Sequence, residues 1–107
     1  MQKPQRLREE CPRKVLVMEF PFSEEQISKQ IFLREFQEST PNDEFIWHLD
    51  KEDREITILE SKGWKLQMDN ELPKKLIEGQ TYFIPKMTYH RVIKGEGNLR
   101  IKLYKII

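Results

Sequence analysis

Apolar and polar residues alternate along most of this sequence, and turn-forming residues interrupt the alternation at regular intervals. Between Leu99 and Leu103 every second residue is apolar and the residues between them are basic, which is typical of a half-buried strand. Gly63, Gly79 and Gly95 recur at intervals close to the length of two short strands with their turns. The pattern predicts an all-β protein of about nine antiparallel strands, folded as a sandwich, jelly roll or barrel. The predicted strands are Val15–Phe20, Ile31–Gln37, Glu44–Leu49, Glu55–Glu60, Trp64–Met68, Lys74–Ile77, Thr81–Ile84, Tyr89–Ile93 and Leu99–Ile107.

The N-terminal part of the chain departs from this alternation. Residues 1–14 contain prolines and many charges, which predicts a loose arm ahead of a single domain at residues 15–107. The run Ser23–Gln26 has a helix-capping pattern with acidic residues in the first turn. It predicts a short helix from about Glu24 to about Gln30.

Charge and cysteine content restrict the classes of partner and the compartment. The 19 basic and 18 acidic residues leave a formal charge of +1, whereas nucleic-acid binders rely on a basic excess. The single cysteine, Cys11, excludes an internal disulfide, which suits a reducing compartment. The sequence shows neither the apolar run of a signal peptide nor one of membrane-spanning length. We therefore expect a cytoplasmic protein that binds neither nucleic acid nor membrane.

The best-defined motif of the chain contains Gly79, Pro85 and His90, with five residues between the first two and four between the last two. This spacing resembles the second conserved motif of the cupins, written G-x5-P-x-G-x2-H-x3-N. Met87 stands where that motif has its second glycine, and Lys94 stands where it has asparagine. The three matching residues keep the spacing of the motif without insertions.

The first cupin motif, G-x5-H-x-H-x3,4-E-x6-G, is similar to a segment that lies upstream. His48 matches its first histidine, and Asn42 falls at its first glycine. Asp50, Arg54 and Ser61 replace the second histidine, the glutamate and the second glycine. The resemblance covers most of the chain and implies a small, single-domain jelly-roll barrel of the RmlC-like type with one of its two motifs eroded.

The resemblance also implies a metal site, for which this chain keeps His48 and His90 and offers Asp50 in the second position. Two imidazoles and one carboxylate form the facial triad that suits iron(II), with manganese, nickel and zinc as further candidates. Glu55 is an alternative carboxylate if the longer spacing of the motif applies. Arg54 argues against a metal, because it places a permanent cation where the family has a carboxylate.

Two explanations without a metal stay open. In one, His48 and His90 are hydrogen-bonded interior residues, and Asp50 pairs with Arg54 across a loop. In the other, Arg54 binds the carboxylate or phosphate of a ligand, while His90 acts as a general base oriented by Asp50, as in metal-free cupin epimerases. The function predicted from the sequence is binding of a small polar or anionic ligand in the barrel by His48, Asp50, Arg54 and His90. A metal-dependent oxygenase or isomerase and a metal-free epimerase or lyase are the alternatives.

Side-chain alternation along the strands adds predictions about the two faces. Arg91 should point to the outer surface because it follows the inward His90. Trp64 should lie in the core with the apolar residues on its strand face. The apolar strands Val15–Phe20 and Leu99–Ile107 suit pairing across a two-fold axis, which predicts a homodimer.

Overall fold

The computed structural model describes residues 22–41 and 45–106, and these ranges contain eight strands in antiparallel pairs. The strands form two sheets, with the orders β1-β2-β8-β3-β6 and β5-β4-β7. The predicted all-β class and antiparallel arrangement are confirmed. Within the described ranges, no helix is long and apolar enough to cross a membrane. The strands are β1 (Phe22–Gln26), β2 (Ile31–Phe36), β3 (Asp53–Lys62), β4 (Lys65–Met68), β5 (Lys74–Lys75), β6 (Thr81–Ile84), β7 (His90–Ile93) and β8 (Glu96–Ile106).

Most of the predicted strands are present, and the two longest extend beyond their predicted ends. Strand β6 has the predicted bounds, whereas β3 and β8 are longer because they pair with each other along most of their length. Strand β8 also pairs with β2 on its other side, so both of its hydrogen-bonding edges are occupied within the sheet. Its backbone is therefore not free to pair with a second copy. The predicted arm at residues 1–14 and the strand Val15–Phe20 lie outside the described residues.

The short helix predicted from about Glu24 to about Gln30 is wrong, because β1 begins at Phe22 and ends at Gln26. Strand β1 pairs with β2 in a hairpin, in which Glu24 lies opposite Arg34 and accepts a hydrogen bond from its Nε at 2.7 Å. The Arg34 guanidinium also lies over the Phe22 ring, 3.9 Å from its centroid. A seven-residue helix would be marginal in isolation, so these strand contacts outweigh the local capping pattern.

The predicted strand Glu44–Leu49 is only partly present, since its described residues make a single bridge, between His48 and His90. Phe45 instead turns into the core, where its ring contacts Trp64 edge-on with centroids 5.7 Å apart. The chain bends at Phe45, and its first ladder contact in this segment is the bridge at His48.

The inner faces of the two sheets share one apolar core. Trp64 is fully buried, as predicted, and its indole N–H donates to the Gly97 carbonyl at 3.0 Å. On β3, Arg54 shares the inward face with Ile56 and Ile58, so this face changes from apolar to polar towards one end. His90 lies opposite the buried Met68 and is buried as well. The change in polarity marks the end of the interior where the candidate site lies.

Candidate metal centre

The backbone places His48 and His90 side by side. The two residues exchange both backbone hydrogen bonds, with N···O distances of 3.0 and 2.9 Å, as directly opposed residues of an antiparallel bridge do. Opposed residues of such a pair project to the same face, and the two imidazole rings lie 4.3 Å apart between centroids. His90 is 4% exposed, whereas His48 lies at the surface.

Asp50 completes a group of three possible ligands. It follows His48 by two positions, which places both side chains on the same side of the extended backbone. Its Oδ2 lies 3.3 Å from His90 Nε2. One ring nitrogen of each histidine and one oxygen of Asp50 all lie within 4.8 Å of one another. The structure thus brings together the three residues that the sequence predicted as ligands, from two distant segments of the chain.

Backbone carbonyls fix the orientation of both imidazole rings. His90 Nδ1 lies 2.9 Å from the Thr88 carbonyl, and His48 Nδ1 lies 3.2 Å from the Ile46 carbonyl. A carbonyl can only accept, so each contact is a hydrogen bond when Nδ1 carries the proton. In the neutral rings the lone pair then belongs to Nε2. Histidine ligands of metals characteristically make this kind of supporting hydrogen bond.

Within the described residues, one oxygen of the Asp50 carboxylate depends on His90 for a hydrogen-bond donor. Its Oδ2 is buried and finds no hydrogen bond among residues 22–41 and 45–106 unless the nearby His90 Nε2 carries a proton. When His90 is neutral and donates through Nδ1, an acceptor nitrogen therefore faces an acceptor oxygen. Burial of such unmatched acceptors costs about 1–3 kcal/mol. A cation between the two atoms, either a proton or a metal ion, removes this conflict.

The surroundings favour the ligand forms of Asp50 and His48. Burial alone would raise the pKa of Asp50, but the contact with His90 and the charge of Arg54 outweigh burial and lower that pKa. Desolvation lowers the pKa of His48, and the neighbouring His90 lowers it further. His48 is partly open to solvent, which weakens both effects on its ring. The carboxylate and the neutral imidazole are the forms that bind metals.

Arg54 lies beside His48, Asp50 and His90, and the carboxylate of Glu52 binds its guanidinium. Its Nε and Nη2 donate to Glu52 Oε2 at 3.2 and 2.8 Å, and Nη2 lies 3.4 Å from Asp50 Oδ1. The guanidinium is largely buried, with 12% of the side chain exposed. Glu52 was not among the site residues predicted from the sequence. Its position two residues before Arg54 allows the two side chains to lie on the same side of the backbone, but their contact depends on the path of the loop.

Glu55, the alternative carboxylate, lies away from this group. It is exposed and follows Arg54 on β3, so its side chain points to the opposite face of the sheet. Arg91 follows His90 in β7, so its side chain points to the opposite face of the sheet, as predicted. On that face its Nε donates to Gln67 at 2.9 Å, and its guanidinium contacts the Trp47 ring. Neither side chain therefore lies on the face that carries His90.

The turn before His90 is held against the Asp50 segment. Met87, which replaces a glycine of the cupin motif, has a φ of 57°, in the left-handed region that glycine adopts without strain. Its amide N–H donates to the Asp50 carbonyl at 2.7 Å. The Lys86 amide donates to the Asp53 carboxylate at 2.8 Å. Met87 therefore keeps a glycine-like conformation and joins the two segments that supply the ligands.

A surface groove of about 190 Å³ lies elsewhere, along β1, β2 and β8, and none of its lining residues belongs to the His48, Asp50 and His90 group. Its lining mixes charged and apolar side chains, and Glu24 and Arg34 within it pair with each other. The chemistry of the three possible ligands, rather than the groove, therefore identifies the candidate site.

No protein-family model matches the sequence, and a comparison with curated proteins finds no match. Solved structures do match. A cupin domain (bp2299) from Bordetella pertussis Tohama I is 15% identical with a TM-score of 0.56, and the match covers 84% of this chain and 99% of that chain. A cupin-2 domain containing protein from Shewanella frigidimarina NCIMB 400 is 19% identical with a TM-score of 0.59, covering 84% of this chain and 85% of that one.

The chain has a cupin fold. A third structure, HppE with cobalt(II) and Tris buffer, has a TM-score of 0.64 at 12% identity, covering 83% of this chain and 55% of HppE. The structural similarity shows the fold alone at such low identities, so the chemistry of the site has to come from the residues of this chain.

Proposed function

We propose that this cupin domain binds a divalent transition metal ion through His48, Asp50 and His90. The observation that carries the proposal is the buried Asp50 Oδ2, which faces His90 Nε2 at 3.3 Å and has no other donor in the described part of the chain. A metal ion accepts lone pairs from both atoms, and His48 supplies a third. The backbone hydrogen bonds at both Nδ1 atoms hold the rings for this role.

The donor set favours a particular group of metals. Two imidazoles and one carboxylate suit iron(II) first, with manganese, nickel and zinc as further candidates. HppE, which has a similar fold, has been crystallised with iron(II) and with cobalt(II). Cobalt(II) is therefore a suitable probe for the site, since it resists oxidation in air better than iron(II) does.

Charge also indicates the class of ligand. The carboxylates of Asp50 and Glu52 offset the Arg54 guanidinium and leave one excess negative charge beside a bound dication. The loaded site is therefore cationic overall, and it favours a small anionic or strongly polar ligand. When bound, the metal would supply Lewis-acid activation of that ligand at its open coordination positions. The residues of the chain hold the metal and exclude water from the side of the core.

The metal-free alternative is less well supported by the positions of the same atoms. A general base needs a free nitrogen that faces the substrate. In His90, Nδ1 contacts the Thr88 carbonyl and Nε2 contacts Asp50. Arg54 is likewise occupied by Glu52 and Asp50, which disfavours the role of an anion clamp that the sequence suggested.

Equilibrium dialysis of metal-stripped protein against cobalt(II), iron(II), manganese(II), nickel(II) and zinc(II) tests the proposal. We expect about one equivalent of metal per chain for at least one of these ions. Asp50→Asn, which keeps the shape of the side chain, should weaken binding at least about tenfold, and His90→Ala should abolish it. Glu55→Gln is the matched control, because this carboxylate lies on the outer face. Metal-free wild type, or equal binding by wild type and Asp50→Asn, would contradict the proposal.

A further inference from the structure

We infer that Glu52 tunes metal affinity by neutralising Arg54, so that the two residues act as a charge-compensating pair beside the ligand Asp50. This inference rests on the proposed metal site and assigns a role to two residues that supply no ligand. Glu52 and Arg54 are positioning residues, since neither binds the metal: Arg54 contacts Asp50, and Glu52 acts through Arg54.

The contacts show how closely the two charges are joined. Both Nε and Nη2 of Arg54 donate to the same oxygen of Glu52, Oε2, and the shorter contact is 2.8 Å. The same Nη2 lies 3.4 Å from Asp50 Oδ1. Arg54 therefore contacts Oδ1 of Asp50, whereas Oδ2 is directed at His90 Nε2. The guanidinium and the Asp50 carboxylate are largely buried, with exposed side-chain fractions of 12% and 14%, and solvent screens their interaction only weakly.

Arg54 creates an electrostatic cost for any dication at this position. The guanidinium is a cation beside the three candidate ligands, and it repels a dication bound there. A carboxylate in contact with the guanidinium offsets that repulsion while the guanidinium stays beside Asp50. Glu52 occupies this position and is itself about three-quarters buried, with 26% of its side chain exposed.

A double-mutant cycle on the full chain tests this inference, with cobalt(II) affinity measured by calorimetry as the readout. Glu52→Gln keeps an acceptor oxygen but removes the charge, and it should weaken cobalt(II) binding about tenfold. In the Arg54→Gln background the same Glu52 substitution should have a smaller effect, because no guanidinium remains to compete with the metal for Asp50, and only the direct attraction between Glu52 and the dication is lost. Glu55→Gln is the control for general loss of negative charge from β3 and its preceding loop.

The background variants also separate charge from hydrogen-bond geometry. Arg54→Lys keeps the cation and loses the planar fork, so Glu52→Gln should again weaken binding in that background. The inference is overturned if Glu52→Gln binds cobalt(II) like wild type, or if it loses the same affinity in the Arg54→Gln background. If wild type binds no cobalt(II), both the proposed function and this inference fail. If wild type binds and Asp50→Asn does not, but the cycle shows no coupling, only the role of Glu52 and Arg54 is wrong.

Discussion

Met87 has a backbone conformation that is strained for a residue with a side chain, and that conformation supports the candidate site. Its φ of 57° lies in the left-handed region, and its side chain is 59% exposed, so little packing compensates for the strain. The amide of the same residue donates to the Asp50 carbonyl. A substitution that relieves the strain should therefore leave the contact in place.

We predict that Met87→Gly raises the free energy of unfolding by about 1 kcal/mol, because glycine adopts the left-handed region without the clash that a Cβ causes. Urea denaturation of the two proteins measures the difference. Met87→Val is the opposed variant and should be less stable than wild type, since a β-branched side chain increases the strain. A Met87→Gly protein less stable than wild type would show that the side chain contributes more than the strain costs.

At the scale of single residues, the sequence allowed the three candidate ligands and the contact between Asp50 and Arg54 to be predicted, but not the contact of Arg54 with Glu52. The spacing around His48 and His90 and the resemblance to the cupin motifs were sufficient to select the residues that the structure brings together. The role of Glu52 was not predicted, because its contact with Arg54 depends on the path of a loop rather than on strand alternation. Arg54 repels a metal less than its charge alone implies, because Glu52 accepts two hydrogen bonds from its guanidinium.

At the scale of elements, strands were predictable where alternation and turn residues agreed, as in β6. The error at β1 arose because capping residues describe the local preference of a segment, whereas pairing with β2 decides its structure. The Phe45 segment was overpredicted for a similar reason. Its aromatic residue is used in the core, although a single sequence cannot distinguish such packing from strand alternation.

The turn between β7 and β8 passes close to the start of β4, and Gly95 permits this approach. A Cβ at position 95 would lie 2.4 Å from the Trp64 amide nitrogen and 2.5 Å from the Lys62 carbonyl oxygen. Since both are backbone atoms, the clash can be relieved only by shifting the chain beside the buried Trp64.

We predict that Gly95→Ala lowers the free energy of unfolding by about 2–3 kcal/mol, as overpacking against fixed atoms does. Gly97→Ala is the matched control. Position 97 has a φ of 66° but open space around its Cβ, so only the conformational cost of about 1 kcal/mol applies there. Chemical denaturation of both variants gives the comparison, and equal losses would mean that the close approach at Gly95 is unimportant.

At the scale of the whole molecule, the candidate site joins parts of the chain that are far apart in sequence. His48 and Asp50 precede β3, whereas His90 begins β7 in the other sheet. A metal bound to all three would cross-link these segments in the folded state only. The homodimer, the cytoplasmic location and the domain bounds at residues 15–107 stay predictions from the sequence.

Metal binding should therefore stabilise the protein as a whole. At a free metal concentration about one hundred times the dissociation constant, linkage predicts a gain of about 2.7 kcal/mol in the free energy of unfolding. Thermal and urea unfolding with and without cobalt(II) measure this gain. Asp50→Asn should show a much smaller shift than wild type at the same metal concentration, and an equal shift in both proteins would place the stabilising metal elsewhere.

The most direct test is a crystal structure of cobalt(II)-soaked wild-type protein, with anomalous diffraction used to locate the ion. We expect an anomalous peak in contact with His48 Nε2, Asp50 Oδ2 and His90 Nε2, with Arg54 still bound to Glu52. A peak that does not contact Asp50 and His90, or a fully soaked crystal with no peak at these residues, would contradict the central claim.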